Sequence, residues 1–102
     1  EKLYKIEESK HEKEITMNEQ DVLISGKDNK ITIKGLIGKI TITGKDNDIV
    51  IESVNQIEIS GNGNFVSWEK TSNGNQKPNI TDKGGYNNVG RKSGNALDKQ
   101  DD

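Results

Sequence analysis

A four-residue signature, Gly-x-x-Asn, recurs along this chain at a nearly constant spacing. It begins at Gly26, Gly44, Gly61 and Gly84, so the first three copies lie 18 and 17 residues apart and the fourth follows after 23. A repeat of this length indicates that one supersecondary unit stacks on the next, because a single unit is too small to bury its own apolar face. The repeat therefore predicts a solenoid.

Pairs of apolar, mostly β-branched residues occupy the segments between these signatures. The members of a pair lie two positions apart, so both face the same side of a strand, while polar residues such as Thr32 and Glu58 face the other side. Successive pairs are nine or eight residues apart, which accommodates one strand and one sharp turn. The predicted inward-facing set is Val22, Ile24, Ile31, Ile33, Ile40, Ile42, Ile49, Ile51, Ile57, Ile59, Val66 and Trp68.

These periods predict an all-β fold, a short β-solenoid resembling a parallel β-helix. Each coil of about 18 residues would contain two short strands, and each would add one layer of Ile or Val to a narrow interior. We assign residues 15–90 to the solenoid, 1–14 to a charged lead-in and 91–102 to a disordered tail that is poor in apolar residues. The polar segment 69–77 is predicted to be an exposed loop. Whether the lead-in is helical or extended stays open.

The Gly-x-x-Asn signature has the chemistry of a tight corner. Glycine adopts a positive φ without steric cost, and asparagine tolerates it and can bond the backbone through its side-chain amide. Stacked coils would align the asparagines in one column, where their amides could bond to one another. We therefore interpret eight residues as structural turn residues: Gly26, Asn29, Gly44, Asn47, Gly61, Asn64, Gly84 and Asn87.

Composition and residue placement exclude several classes of chemistry. The chain has 102 residues and a net charge of −2, so we expect one domain without a basic surface for nucleic acid. It has no cysteine, which excludes disulfides, thiolate metal sites and a cysteine nucleophile. His11 is the only histidine, and the turn acids Asp28 and Asp46 each follow a lysine, whereas the third turn has Gly63 instead. We predict no metal, no cofactor and no catalytic site, and hence a protein that is not an enzyme.

Three segments of the chain resemble a known family. Residues 22–35, 39–49 and 57–66 are similar to the "V-x-I-x-G-x-x-N-x-I-x-I" theme of the bacterial domain of unknown function 3060 family. Pro78, Ile80, Gly84 and Asn87 match its common final coil, "P-x-I-x-x-x-G-x-x-N".

This resemblance spans roughly residues 15–90. It implies an exported bacterial protein of the periplasm, cell envelope or extracellular space, such as a lipoprotein. It implies no activity. No signal peptide is visible in this sequence, and the lack of cysteine leaves lipid anchoring open.

Two functional interpretations stay open at this point. The first is a non-enzymatic structural or surface interaction module, because a solenoid offers long, regular faces. The second is a module that binds glycan or cell wall through exposed aromatic residues and the loop 69–77. Since Trp68 falls in the inward register, the possible binding residues are Phe65 and Tyr86. The expected partner is an envelope glycan or protein, and we expect a monomer because the lead-in, the loop and Pro78 would protect open strand edges.

Overall fold

The computed structural model describes residues 3–71, 73–74, 76–93 and 96–99. Every regular element in that part of the chain is a β-strand. The strands are β1 (Leu3–Ile6), β2 (Glu12–Ile24), β3 (Lys30–Ile42), β4 (Asp48–Ile59), β5 (Phe65–Lys70), β6 (Asn79–Asp82), β7 (Asn88–Ser93) and β8 (Ala96–Lys99).

These strands form one continuous sheet that is wound into a solenoid. β1, β2, β3 and β4 pair with one another in sequence order, always in parallel. Paired residues lie one coil apart in the chain, as in the pairing of Lys30 with Asp48 and of Ile42 with Ile59. β5 and β6 pair in parallel with the first and second halves of β4, β7 continues the stack on β5, and β8 turns back antiparallel to β7. The predicted β-solenoid is thereby confirmed.

The two predicted strands of a coil are joined in most coils. β3, for example, contains both apolar pairs of its coil and bends at Gly35, where φ is +88°. This bend is the second corner of the coil, opposite the Gly-x-x-Asn corner. On both sides of the bend the backbone of β3 stays paired with β2 and β4, so the two halves form one bent strand. In the coil made of β5 and β6 the two halves are separate strands, because the polar segment lies between Lys70 and Asn79.

The stack begins before residue 15, the start that the sequence predicted. β1 is extended and pairs with the second half of β2, so that Tyr4 lies opposite Val22 and Ile6 opposite Ile24. Ile6 is buried and adds a layer to the core. The dense charges of this segment obscured the two-residue spacing of Tyr4 and Ile6, which is the same spacing that marks the later coils.

The C-terminal region also differs from the predicted disordered tail of residues 91–102. β7 extends to Ser93, and Ala96–Lys99 forms β8 against it. Backbone pairing to β7 provides hydrogen bonds that the polar composition of this segment does not reveal. The rest of the predicted tail, residues 94–95 and 100–102, lies outside the described residues.

The predicted inward register is confirmed by burial. All twelve residues of that set have side chains with no more than 1% of their surface exposed. Ile37 and Val54 are buried as well, at the bend where the chain turns between the two halves of a coil. Burial of an isoleucine side chain contributes about 1.5–3 kcal/mol, so these rows are the main source of stability.

Charged residues occupy inward register positions at both ends of the core. Lys13 pairs with Ile31 at the β1 end, and Asp82 pairs with Ile59 at the other. Arg91 continues the row of Trp68, and its guanidinium carbon lies 5.8 Å from the centre of the indole ring. Lys13 and Asp82 lie on strand segments that have no further described strand beyond them, and inward-pointing charges at such edges discourage further strands from adding to a sheet.

Close approach, not backbone conformation, requires glycine at the repeated corners. A Cβ atom on Gly44 would overlap the carbonyl oxygen of Gly26, and the same relation links every pair of consecutive corner glycines. The corner glycines are not among the residues with positive φ. The third residue of the signature has it instead: φ is 59° at Asp28, 58° at Asp46 and 58° at Tyr86.

This geometry predicts that Gly44→Ala is strongly destabilising. The added methyl group must push two coils apart, and the overlap is with backbone that cannot rotate away, so we expect a loss of about 2–4 kcal/mol in the free energy of unfolding. Gly85→Ala is the matched control, because its Cβ would lie 3.1 Å from the Asn62 side chain, which can move. Urea denaturation followed by circular dichroism measures both variants. Equal losses would contradict the steric role of the corner glycines.

Candidate functional site

A ladder of asparagine side chains follows the Gly-x-x-Asn corner through the stack. The Asn47 amide nitrogen donates to the Gly26 carbonyl (3.1 Å) and to Asn64 Oδ1 (3.0 Å). Asn47 Oδ1 accepts from both the backbone N–H and the side-chain amide of Asn29, each at 3.1 Å. All four hydrogen-bonding positions of this amide are therefore filled.

The same bonds join the four asparagines of the signature. Asn64 repeats the pattern of Asn47, with its amide nitrogen bonded to the Gly44 carbonyl and to Asn87 Oδ1. Asn29, Asn47 and Asn64 are buried. Because their amides are used within the ladder, these residues hold consecutive coils together and offer no free group to a ligand.

Different residues close the two ends of the ladder. At the β1 end, His11 stands where an asparagine would, and its backbone N–H donates to Asn29 Oδ1 at 3.0 Å. At the other end, Asp82 Oδ1 accepts from the Asn87 amide (2.9 Å) and from the Gly84 N–H (3.1 Å). The carboxylate thereby takes the place of an acceptor that a further coil would supply.

The ladder predicts two distinct effects at Asn47. Asn47→Ala leaves the Asn29 N–H and the Gly26 carbonyl without partners and removes one of the two bonds to Asn64 Oδ1, so we expect a loss of about 3 kcal/mol or more, whereas the exposed Asn62→Ala should cost less than about 1 kcal/mol. In Asn47→Asp, burial beside an oxygen acceptor would raise the pKa of the new carboxyl group.

The folded Asn47→Asp variant then binds its proton more tightly than the unfolded chain does. Its stability relative to the unmodified protein should fall as the pH rises from about 4, the ordinary value for aspartate, toward 7. Denaturation at several pH values measures this difference. A pH-independent difference would contradict a buried ladder position.

A groove runs along the stack beside the same corners, and we call it the corner groove. The corner glycines line its floor. Residues with hydroxyl side chains, which precede these glycines in the chain, line one side, and the second residues of the Gly-x-x-Asn signatures line the other. Its lining is Glu7, Ser9, Ser25, Gly26, Lys27, Thr43, Gly44, Lys45, Ser60, Gly61 and Asn62.

Corresponding groups in the corner groove repeat from coil to coil. Lys27 and Lys45 are bridged partners at the corner, which places them one strand spacing, about 4.8 Å, apart along the stack. Both are exposed, and neither takes part in an ion pair with a described residue. Ser25, Thr43 and Ser60 form a parallel column of hydroxyl groups. The groove thus offers regularly spaced hydrogen-bonding groups to an extended ligand.

The aromatic residues predicted to bind ligand lie at the Gly-x-x-Asn corners. Tyr86 is 96% exposed, whereas Phe65 is half-buried and Trp68 is 1% exposed. The loop 69–77 lies at the other corner of its coil, between residues that pair with Ser53 and Gln56. The structure therefore does not bring Phe65 and Tyr86 together with that loop.

Two acidic residues of the described regions bond to neighbouring coils, and none belongs to a recognisable metal site. No group of three potential metal ligands occurs within residues 3–71, 73–74, 76–93 and 96–99. Glu52 accepts a hydrogen bond from the Gly35 N–H at 2.8 Å, where the register of β3 and β4 shifts. This role could not be predicted from the residue pattern. Glu14, 2.8 Å from the Lys34 ammonium, raises the pKa of that lysine through a hydrogen bond and charge attraction.

Comparison with known proteins gives one match. A model of the family described as "Protein of unknown function (DUF3060)" matches residues 24–86. This range contains the first three Gly-x-x-Asn corners completely and ends one residue before Asn87, the last residue of the fourth. No curated protein and no solved structure shows significant similarity to the chain. None of the described residues forms a helix that is long and apolar enough to cross a membrane.

Proposed function

Because this chain belongs to the DUF3060 family, a family of unknown function, we propose its role from its geometry. We propose that it is a non-enzymatic bacterial module that is exported and binds an extended polymer of the cell envelope, a glycan or a protein chain, along the corner groove. The family resemblance of the sequence supports the proposal of export. The observation that carries the binding role is the repetition of the same polar groups along a rigid stack.

Rigidity supports this proposal because it lowers the entropic cost of binding. The corner groove lies directly above the asparagine ladder, and its floor is the backbone of Gly26, Gly44 and Gly61. These glycines are buried and in close contact with one another. A surface whose backbone is fixed in this way loses little conformational freedom when a ligand binds.

The chemistry of the groove favours a polar, elongated partner. Lys27 and Lys45 supply charged donors, and the hydroxyls of Ser25, Thr43 and Ser60 both donate and accept. An extended chain with repeated hydroxyl or acidic groups can engage several coils at once, and contacts made together in this way strengthen binding beyond any single one.

We predict that Lys27→Gln combined with Lys45→Gln weakens polymer binding at least about fivefold, since several weak contacts add up along the groove. The matched control is Lys5→Gln with Lys30→Gln, which changes the net charge equally at lysines outside the groove. The measurement is co-sedimentation with purified peptidoglycan and with envelope polysaccharides at fixed ionic strength. No retention of the unmodified protein, or the same loss in both double variants, would contradict the proposal.

A second candidate is a glycan platform at Tyr86. This tyrosine is almost fully exposed although its φ of 58° is unusual for a bulky residue, and such strain recurs at functional sites. Exposed aromatic rings provide large contact area to a ligand. In the same co-sedimentation assay, loss of binding in Tyr86→Ala but not in the lysine double variant favours the platform over the corner groove.

We also propose that the chain is monomeric, because charges end the core rows at both ends of the stack. Light scattering at micromolar concentration should give a mass near the 11.3 kDa of one chain. Lys13→Val would extend an apolar row to the open edge of β2 and should cause association, whereas Lys5→Val, on the exposed side of β1, should not. A dimer mass for the unmodified protein would overturn this prediction.

A further inference from the structure

The third Gly-x-x-Asn corner differs from the others in its two middle residues. It reads Gly61-Asn62-Gly63-Asn64, whereas the middle residues are Lys-Asp in the first two corners and Gly-Tyr in the fourth. An asparagine that is followed by glycine is prone to deamidation, because glycine has no side chain to hinder attack by its own backbone nitrogen. The sequence therefore places a chemically reactive pair at a corner of the stack.

Water is the only co-reactant that deamidation of this pair requires. The backbone nitrogen of Gly63 loses its proton and attacks Cγ of Asn62, a C–N bond forms, and the side-chain nitrogen leaves as ammonia. Water then opens the resulting succinimide ring at either of its carbonyl groups. One product is aspartate. The other is isoaspartate, in which the chain runs through Cγ and gains one backbone atom.

Both groups that must react are held by the next coil. The Gly63 N–H donates to the Gly85 carbonyl at 3.0 Å, and Asn62 Oδ1 accepts from the Gly85 N–H at 2.8 Å. The first bond keeps the attacking nitrogen engaged, and the second holds the side-chain amide against the neighbouring backbone. Because ring formation must break both bonds, the exposed Asn62 side chain is protected while Gly85 stays in place.

The coil that supplies this protection lies at the end of the stack of corners. We call the fourth corner together with β7, residues 84–93, the final coil. Its corner is held by the Asn87 amide, which donates to the Gly61 carbonyl at 2.9 Å, and by the Asn64 N–H, which donates to Asn87 Oδ1 at 2.8 Å. Among the described residues no further corner stacks on it. A corner with a neighbour on one side only opens more readily than an inner one.

We propose that Asn62–Gly63 is a deamidation site whose reaction is controlled by the final coil. While that coil is docked the pair is stable, and the ring forms when the coil opens. Isoaspartate then prevents the coil from docking again, because the longer backbone displaces a corner at which Gly61 and Gly84 must lie in close contact. Asn62 also lines the corner groove beside Lys45, so either product adds a carboxylate there. This modification does not depend on the binding role proposed above.

Peptide mapping by mass spectrometry measures the reaction, because conversion of an amide to an acid changes the mass of the peptide that contains Asn62. The protein is incubated at mildly alkaline pH, once folded and once unfolded in urea. We expect the pair to react at least about tenfold more slowly in the folded protein, since only the molecules with an open final coil react. Asn73–Gly74, the second Asn-Gly pair of the sequence, provides the reference rate in urea.

Two alanine variants at opposite ends of the stack show whether the final coil controls the reaction. A Cβ atom on Gly84 would overlap the Gly61 carbonyl oxygen, and a Cβ atom on Gly26 would overlap the Glu8 carbonyl oxygen in the same way. Gly84→Ala should bring the reaction to within about threefold of the unfolded rate, because it forces the final coil away from its neighbour. In Gly26→Ala the rate should stay within about twofold of that in the unmodified protein.

A second matched pair keeps the comparison possible if either glycine variant fails to fold. Asn87→Ala removes the bond to the Gly61 carbonyl at one end of the ladder, and Asn29→Ala removes the bond to the Glu8 carbonyl at the other. Circular dichroism shows which variants are folded. Deamidation should be faster in Asn87→Ala than in Asn29→Ala.

The proposal is overturned if Asn62 reacts as fast in the folded protein as in urea, or if it reacts in neither. Equal rates in the variants at the two ends would also overturn it, because the protection would then come from the overall stability of the fold. Chromatography separates the two products for urea denaturation. The isoaspartyl form should unfold at a lower urea concentration than the unmodified protein, whereas Asn62→Asp, which represents the other product, should not. An isoaspartyl form of unchanged stability would contradict the proposed loss of docking.

Discussion

Hydrogen bonding at the corners is the constraint on which the rest of this structure depends. Where the chain turns at Gly-x-x-Asn, some backbone groups leave the strand ladder, and buried groups of this kind must find partners. The Asn47 N–H finds one in Asn64 Oδ1 at 3.0 Å, and the Gly26 carbonyl finds one in the Asn47 amide. Glycine makes this possible, because only a residue without Cβ lets one corner lie directly on the next.

The sequence predicted the interior well because two simple periods determine it. A spacing of two places residues on one side of a strand, and a spacing near nine returns the chain to the same row. The prediction failed where the chain forms a corner that lacks the Gly-x-x-Asn signature. Glu8–His11 follows the path of the other corners, with φ of 61° at Lys10, and so adds β1 to the stack. The role of Asp82 could not be predicted from the sequence either, because it accepts a hydrogen bond from the last asparagine of the ladder, and the ladder is visible only in the structure.

Surface features were less predictable than the core, except where they repeat with the coils. The corner groove repeats with the coils, so its hydroxyl column at Ser25, Thr43 and Ser60 can be read from the same alignment that gives the core. The contact of the Arg91 guanidinium with the indole of Trp68 spans an irregular insertion, and the regular period of the other coils does not link those two positions. The exposure of Tyr86 also agrees with its corner position, whereas its positive φ could not be inferred from residue type.

The position of the insertion follows from the way coils support one another. A loop within an inner coil would remove bonds from the coils on both sides, since β3 pairs with β2 and β4 along most of its length. The coil of β5 and β6 is different, because β6 pairs only with β4 among the described strands, while β7 rests on β5. A long loop between Lys70 and Asn79 therefore costs few inter-coil bonds. The insertion also leaves the asparagine ladder intact, because the loop lies at the opposite corner of the coil from Asn64 and Asn87.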